Sequence, residues 1–411
     1  MSRINDLIKE LCPNGVEHKQ LNEIADTFIG LATSVTKHKT SDGVILLHNS
    51  DIKQNKIVLK TIEFIDKGFA DKNVNKYYQY HDIATVHTGD VGTSAVIEEE
   101  YVGSMGFTTL VTRIYDFNYI NPYFLCHYFN SKLFKNDVAR VTISDRSNLN
   151  QKEFCQLLIP IPPLEVQQEI VKILDKFGEL EAELEAELEA RKSQYEFWCR
   201  KLLKSDKNTV KLKDITSIIT KGTTPTSIGY NFEIDGEVNF VKIESINNGI
   251  FNLNKLEHIS NDCNEKLSRS KLQENDILFS IAGAIGKTII VDNSILPANT
   301  NQALAIIRIS DSNYNIKYIN YYLNSTYIKT QYTDKQKGSA QINVSLNDIS
   351  NFEIPEINID EQNRIVNILD KFEKLISDIS IGLPAEIELR RKQYEYYRNK
   401  LLSFEELNIS E

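Results

Sequence analysis

The chain has 411 residues, 41% of them hydrophobic and 25% charged, and carries a net charge of −10. That length calls for two or more domains. The lack of any eighteen-residue apolar run excludes a membrane-spanning helix, and the net charge, taken whole, argues weakly against a nucleic-acid partner.

The acid is not uniform. Residues 1–155 hold 17 basic against 19 acidic groups and residues 205–352 hold 15 against 15, so the excess sits on 156–204 and 353–411. Two near-neutral blocks alternate with two acidic ones. The five cysteines (Cys12, Cys126, Cys155, Cys199, Cys263) form no C-x-x-C pair and no even set. They read as reduced thiols of a cytoplasmic protein rather than a zinc or disulfide framework. The N-terminus, MSRINDLIKELCPNG, mixes charge into its apolar residues and lacks a secretory core.

In chain order, the first block shows β-like runs at 44–47, 57–59, 83–86 and 110–114, separated by turn signals such as Ser41-Asp42-Gly43 and Thr88-Gly89-Asp90. An aromatic-rich segment, 118–134, reads as a helix, and the block closes on Ile159-Pro160. Next comes Glu-Leu-Glu-Ala three times over, from Glu179 to Ala190. This composition has near-maximal helix propensity and no breaker. Leu180, Leu184 and Leu188 fall on one stripe. The stripe extends through Val166, Ile170, Ile173 and Phe177 on one side, and Tyr195, Trp198 and Leu202 on the other, a heptad seam with one four-residue stutter. A helix over 165–203 is expected.

The second block repeats the first, with strand-like runs at 238–241, 276–280 and 303–307, an aromatic helix at 315–329, and Ile354-Pro355. A second long helix then comes. Glu165–Leu180 reads EVQQEIVKILDKFGEL and Asp360–Leu375 reads DEQNRIVNILDKFEKL, 195 residues later; Gln194-Tyr195-Glu196 returns as Gln393-Tyr394-Glu395, 199 later. This is an internal duplication of nearly two hundred residues. The second seam passes through Phe372, Leu383, Ile387 and Tyr394, and Pro384 should kink the helix or break and restart it.

No catalytic motif emerges. Asn121-Pro122-Tyr123-Phe124 lacks the second proline and the upstream glycine-rich turn of an amino-methyltransferase, and its counterpart Asn315-Ile316-Lys317-Tyr318 dissolves the pattern; both read as helix starts. Gly283-Ala284-Ile285-Gly286-Lys287 lacks phosphate-loop spacing and reads as a loop bordering a groove. The seven histidines form no metal-ligand set.

Polar loops recur at matching places in both blocks. Thr36, Lys37 and Lys39 match Lys221, Thr223 and Thr224; Arg140, Ser144, Arg146 and Asn148 match Lys335, Lys337, Ser339, Gln341 and Asn343. Arg, Lys, Asn and Gln read base edges, while Ser, Thr and Lys contact phosphates. These are the candidate DNA-contact residues. The competing reading is a coiled-coil scaffold with two protein-binding ends.

The chain resembles the specificity subunits of type I restriction-modification systems over essentially its whole length. The resemblance rests on the run Ile159–Val171, on 382–402, on the opening Cys12-Pro13-Asn14-Gly15, and on Asn275–Lys287, whose Lys287 joins the DNA-contact set. It implies an α+β fold with internal duplication and pseudo-twofold symmetry. Target-recognition domains at 1–158 and 206–354 would be joined by conserved helical regions at 159–205 and 355–411, packed as an antiparallel coiled coil. It also implies a non-catalytic reader of a two-part, asymmetric site on double-stranded DNA, docked to two methyltransferase subunits and to restriction/translocase subunits. S-adenosylmethionine, ATP and magnesium would be used by those partners and not by this chain. The first block departs from the pattern at His81-Asp82-Ile83-Ala84.

Overall fold

The computed structural model describes residues 2–32, 34–143, 148–204, 206–247, 249–333, 344–377 and 382–407. Its two compact units are 1–183 with 387–411, and 184–386. Eight helices matter here: α1 (Ser2–Leu11), α2 (Pro122–Phe129), α3 (Lys132–Val141), α4 (Leu164–Leu203), α5 (Ile316–Leu323), α6 (Thr326–Thr333), α7 (Ile359–Ser377) and α8 (Leu383–Leu401). The unit boundaries fall inside α4 and α8.

The expected aromatic helices are each two helices. Asn121 starts α2 by accepting from the Tyr123 and Phe124 amides, and Asn315 starts α5 by accepting from those of Lys317 and Tyr318. Such N-caps satisfy donors that a helix start leaves orphaned. Both helices end at an asparagine, Asn130 or Asn324, before the chain turns into α3 or α6. The strand expected at 57–59 shrinks to the pair Lys56–Ile57, in a hairpin with Ile52–Lys53 that turns at Asn55.

In the first unit the main sheet comprises β1 (Ala25–Ile29), β2 (Ile83–Thr85), β3 (Ser94–Val96) and β4 (Leu110–Ile114), in the order β1-β4-β2-β3. In the second it comprises β5 (Thr216–Lys221), β6 (Ile277–Ser280), β7 (Thr288–Ile290) and β8 (Leu304–Ile309), in the order β5-β8-β6-β7. The two orders are the same, and all pairs are antiparallel. Each unit also closes its own ends, since Glu17–Gln20 pairs with Leu158–Ile161 and Thr209–Lys211 with Glu353–Pro355. The Ile-Pro steps are therefore short edge strands, where proline is tolerated.

Three polar devices inside each unit repeat as well. Buried Asp82 takes a two-pronged contact from Arg113 (2.9 and 2.7 Å) and the amide of Gln79 (2.7 Å). Buried Asp276 takes the same from Arg308 (2.7 and 2.7 Å) and Gln273 (2.8 Å). The preceding residues, His81 and Asn275, share a left-handed backbone at φ 69° and 71°. So the departure at His81-Asp82 keeps the geometry and alters only its surroundings. Gln167 and Gln362, both fully buried, each accept from the capping asparagine's amide and donate to two carbonyls. They fasten the first turns of α4 and α7 to the globular part. Lastly, Asp175 on α4 meets His127 at 2.8 Å, and Asp370 on α7 meets the Tyr321 hydroxyl at 2.7 Å.

Long-helix packing is antiparallel within the first unit. Phe177 stacks on Tyr397 at 5.5 Å and approaches Tyr394 at 6.3 Å, while Glu181, one turn on, pairs with Arg391 at 2.5 Å, one turn back. In the second unit burial first, then Cys199 one turn on and the charges of Glu373 and Asp370 on α7, push the Tyr195 phenol pKa up. The seam is unevenly buried, however. Val166, Ile170 and Leu174 are fully buried, so the inward face runs through Leu174 where the stripe drawn from sequence ran through half-buried Ile173. Leu180 is 37% exposed, Leu184, Leu188, Phe372 and Leu383 are half-buried or nearly buried, and Ile387 and Tyr394 are buried. The Glu-Leu-Glu-Ala segment thus owes its helicity more to propensity than to packing. In the second helical region α7 is described to Ser377, residues 378–381 lie outside the described residues, and Gly382 is a bend. Then α8 starts at Leu383 with Pro384 in its first turn, where its missing N–H costs nothing.

Candidate nucleic-acid interface

In the second unit β5 ends at Lys221, paired with Ala305 at the start of β8. Gly222 comes next, and a Cβ there would lie 1.8 Å from the Thr300 carbonyl oxygen. Only glycine lets the strand pass that backbone so closely. The chain then enters the loop Thr223-Thr224 and the turn Pro225–Ile228. The Thr224 hydroxyl donates to the Gln302 side chain, and the Ser227 hydroxyl to the Thr224 carbonyl (2.6 Å).

Together Lys221, Thr223, Thr224, Thr226, Ser227, Arg269 and Gln302 line a depression of about 560 Å³ with no acidic residue in its wall. Two cations, one amide and four hydroxyls at one sheet end can contact phosphate oxygens and base edges, and hold nothing that looks like a nucleophile with its base. Here three sequence-predicted residues are brought together. Arg269 and Gln302 escaped sequence reading because they stand 48 and 81 residues from Lys221. The polar run Asn299-Thr300-Asn301-Gln302 before β8 was the available signal.

In the first unit the same turn places Gly30 after β1, where a Cβ would lie 2.3 Å from the Gly106 carbonyl oxygen. Thr36 and Lys37 are exposed on a one-turn helix, and the adjoining His38 stacks on Phe69 at 3.8 Å. Lys39 is engaged differently, pairing with Glu63 at 2.5 Å. That carboxyl, also contacted by His48, is held below the usual range by these two partners, Lys39 first. Lys76 donates to the Ile29 carbonyl and sits 5.3 Å over the Phe28 ring. Two cations of this end are therefore partly spent within the protein.

Arg140 is exposed at the end of α3 and pairs with Asp137 at 2.8 Å. Asn148 lies in the short strand Asn148–Leu149 that pairs with Thr142–Ile143. Ser144, Arg146, Lys335, Lys337, Ser339, Gln341 and Asn343 lie outside the described residues. Lys287 is exposed just before β7, on the loop that carries Gly283 (φ 73°) and Gly286 (φ 86°).

Fold and rim define a class: a duplicated mixed α/β protein whose two domains each end a four-stranded sheet in a glycine-tightened turn carrying hydroxyls and cations. The family described as "Type I restriction modification DNA specificity domain" matches this chain twice, over residues 13–190 and 204–389, and the chain belongs to that family. Among curated relatives, the specificity subunit of the Escherichia coli type I enzymes EcoR124I/EcoR124II is 33% identical over 268 residues, 63% of this chain and 65% of that protein. The putative specificity subunit S.HindORF215P of Haemophilus influenzae is 34% identical over 304 residues, 69% of this chain and 73% of that protein. The chain thus spans just under two thirds of the first relative and more of the second.

Solved structures share the fold at low identity. A chain from a study of complex assembly and conformational transition in the type I R-M system aligns over 95% of this chain and 98% of its own length (TM-score 0.66, 17% identity). The HsdS subunit of Thermoanaerobacter tengcongensis aligns over 95% and 97% (TM-score 0.51, 18% identity).

Proposed function

We propose that this chain is the non-catalytic DNA-reading subunit of a type I restriction-modification assembly, each domain reading one half of a two-part, asymmetric duplex site. The observation that carries the reading is the acid-free rim of Lys221, Thr223, Thr224, Arg269 and Gln302 on a domain of the DNA-specificity family. The long helices are the spacer and the docking surface for two methyltransferase subunits, to which restriction/translocase subunits add in the cytoplasm. Those partners use S-adenosylmethionine, ATP and magnesium; this chain supplies specificity and no reacting group.

Methylome sequencing of cells expressing the chain with its methyltransferase subunit tests this. A bipartite methylated motif is expected, and exchanging residues 206–354 for those of another family member should replace one half of it. Methylation without a bipartite motif, or a swap that rewrites both halves, overturns the reading.

A further inference from the structure

Within the second unit a second cavity, of about 560 Å³, is walled by Leu188, Lys192, Gly249, Lys287, Thr288 and Asn324 among others. Thr288 is 6% exposed, and its hydroxyl oxygen has no hydrogen-bond partner among the described residues. A buried hydroxyl without a partner is costly and calls for an explanation.

The duplication supplies one, because the same place in the first unit is filled. There, Ser94 on β3 faces Thr85 on β2, and their hydroxyls bond at 2.8 Å. Asn130 accepts from the Ser94 amide (3.0 Å) and donates to Asn55 (2.8 Å), the hairpin-turn residue at φ 60°, which in turn donates to the Tyr394 hydroxyl (3.0 Å). In the second unit the counterparts, each 194 residues on, are Thr288, Phe279, Asn324 and Gly249. Thr288 faces Phe279 in the same rung, and the hairpin turns at Gly249 with φ 74°. Phenylalanine removes the hydroxyl's partner and glycine removes the side chain that would plug the space.

The wall around the emptied space carries two lysines. Lys287 has no ion-pair partner among the described residues, and Lys192 pairs only with Glu189 on its own helix. The one acid in the wall, Glu373, accepts from the Tyr321 hydroxyl at 2.7 Å. Two ammonium groups, a free hydroxyl and the Asn324 amide match a tetrahedral oxyanion.

Lys287 also shares a rim with Lys221. Across β5-β8-β6-β7, Lys221 pairs with Ala305, Leu304 pairs with Ser280, and the Lys287 amide donates to the Ser280 hydroxyl (3.0 Å). Three strand spacings make roughly 14 Å, close to the ~12 Å width of a DNA major groove.

We infer that this cavity is a phosphate-binding site, occupied by a backbone phosphate of the duplex read by the same domain. The inference rests on the DNA-reading function proposed above.

The test compares K287A, T288V and G249N in the full-length chain assembled with its methyltransferase subunits. T288V removes a hydroxyl with no protein partner, and asparagine tolerates the left-handed backbone at 249, so folding survives both. K287A, which removes a charge, and G249N, which plugs the space, should each lower the slope of log affinity against log salt by ~0.9, the loss of one neutralised phosphate. T288V, which removes no charge, should weaken binding at unchanged slope. Each effect should be equal on specific and non-specific duplexes. If the K287A and G249N slopes hold but pyrophosphate raises the melting temperature of the wild type and not of T288V or G249N, the site stands with a free phosphate as its occupant. Unchanged slopes with no pyrophosphate effect overturn it. A wild-type assembly without sequence preference would instead sink the DNA-reading function and is told apart by that control.

Discussion

The buried glutamines offer a sharp test of how each long helix is fastened to its domain. Gln362→Ala deletes an amide that accepts from the Asn315 amide (2.8 Å) and donates to the Asn313 and Ile357 carbonyls (2.9 Å each). One buried donor and two carbonyls lose their partner. An orphaned buried group costs ~1–3 kcal/mol, and the carbonyls retain some relief from water entering the hole, so a loss of about 3–5 kcal/mol is expected. That is a large part of a domain's ~5–15 kcal/mol. The urea midpoint of the second unit should fall, and the Asn315 amide should exchange its hydrogen roughly a hundredfold to a few thousandfold faster, at ~1.4 kcal/mol per decade. The Asn121 amide, held by Gln167 in the first unit at 2.8 Å, should keep its rate. Gln167→Ala should do the reverse. A change within ~1 kcal/mol of wild type, or equal acceleration of both amides, would refute the claim that these are separate fastenings of comparable weight.

Two further outcomes are expected. Deleting one Glu-Leu-Glu-Ala unit shortens α4 by ~6 Å and rotates the downstream half of the helix by ~40°, so the spacer of the methylated motif should change by one to two base pairs at ~3.4 Å each while both half-sites stay; altered half-sites in methylome data would sink the ruler. Arg269→Ala and Gln302→Ala should change base preference or affinity in one half-site alone, with a cost of ~1–3 kcal/mol for a lost bidentate base contact, read by binding to a panel of single-base variants; equal loss on every sequence would reassign them to phosphates.

The duplicated frame was legible because it is written in local rules. Helix formers without breakers, a recurring Ile-Val-x-Ile-Leu-Asp-Lys-Phe phrase and alternating apolar runs specify two mixed domains and two helical regions. Pro384 marks the start of α8. The stripe through Ile173 was less well read: helical spacing alone admits two neighbouring faces, and contact with the domain core chose the one with Leu174. The aromatic helices were over-extended because nothing local marks Asn130 and Asn324 as ends.

The candidate site divides along the same line. Lys221, Thr223 and Thr224 are adjacent in sequence and so were visible together. Arg269 and Gln302 join them because strands far apart in the chain end side by side. Likewise the Asp82–Arg113 and Asp276–Arg308 pairs span 31 and 32 residues and carry no motif. By itself, then, the sequence determined that the protein is one design used twice, since helix propensity and repetition are properties of neighbours along the chain. Only the tertiary structure decided which cations remain free for a ligand, because ion pairing such as Lys39 with Glu63, and the emptiness beside Thr288, depend on which side chains meet across a sheet.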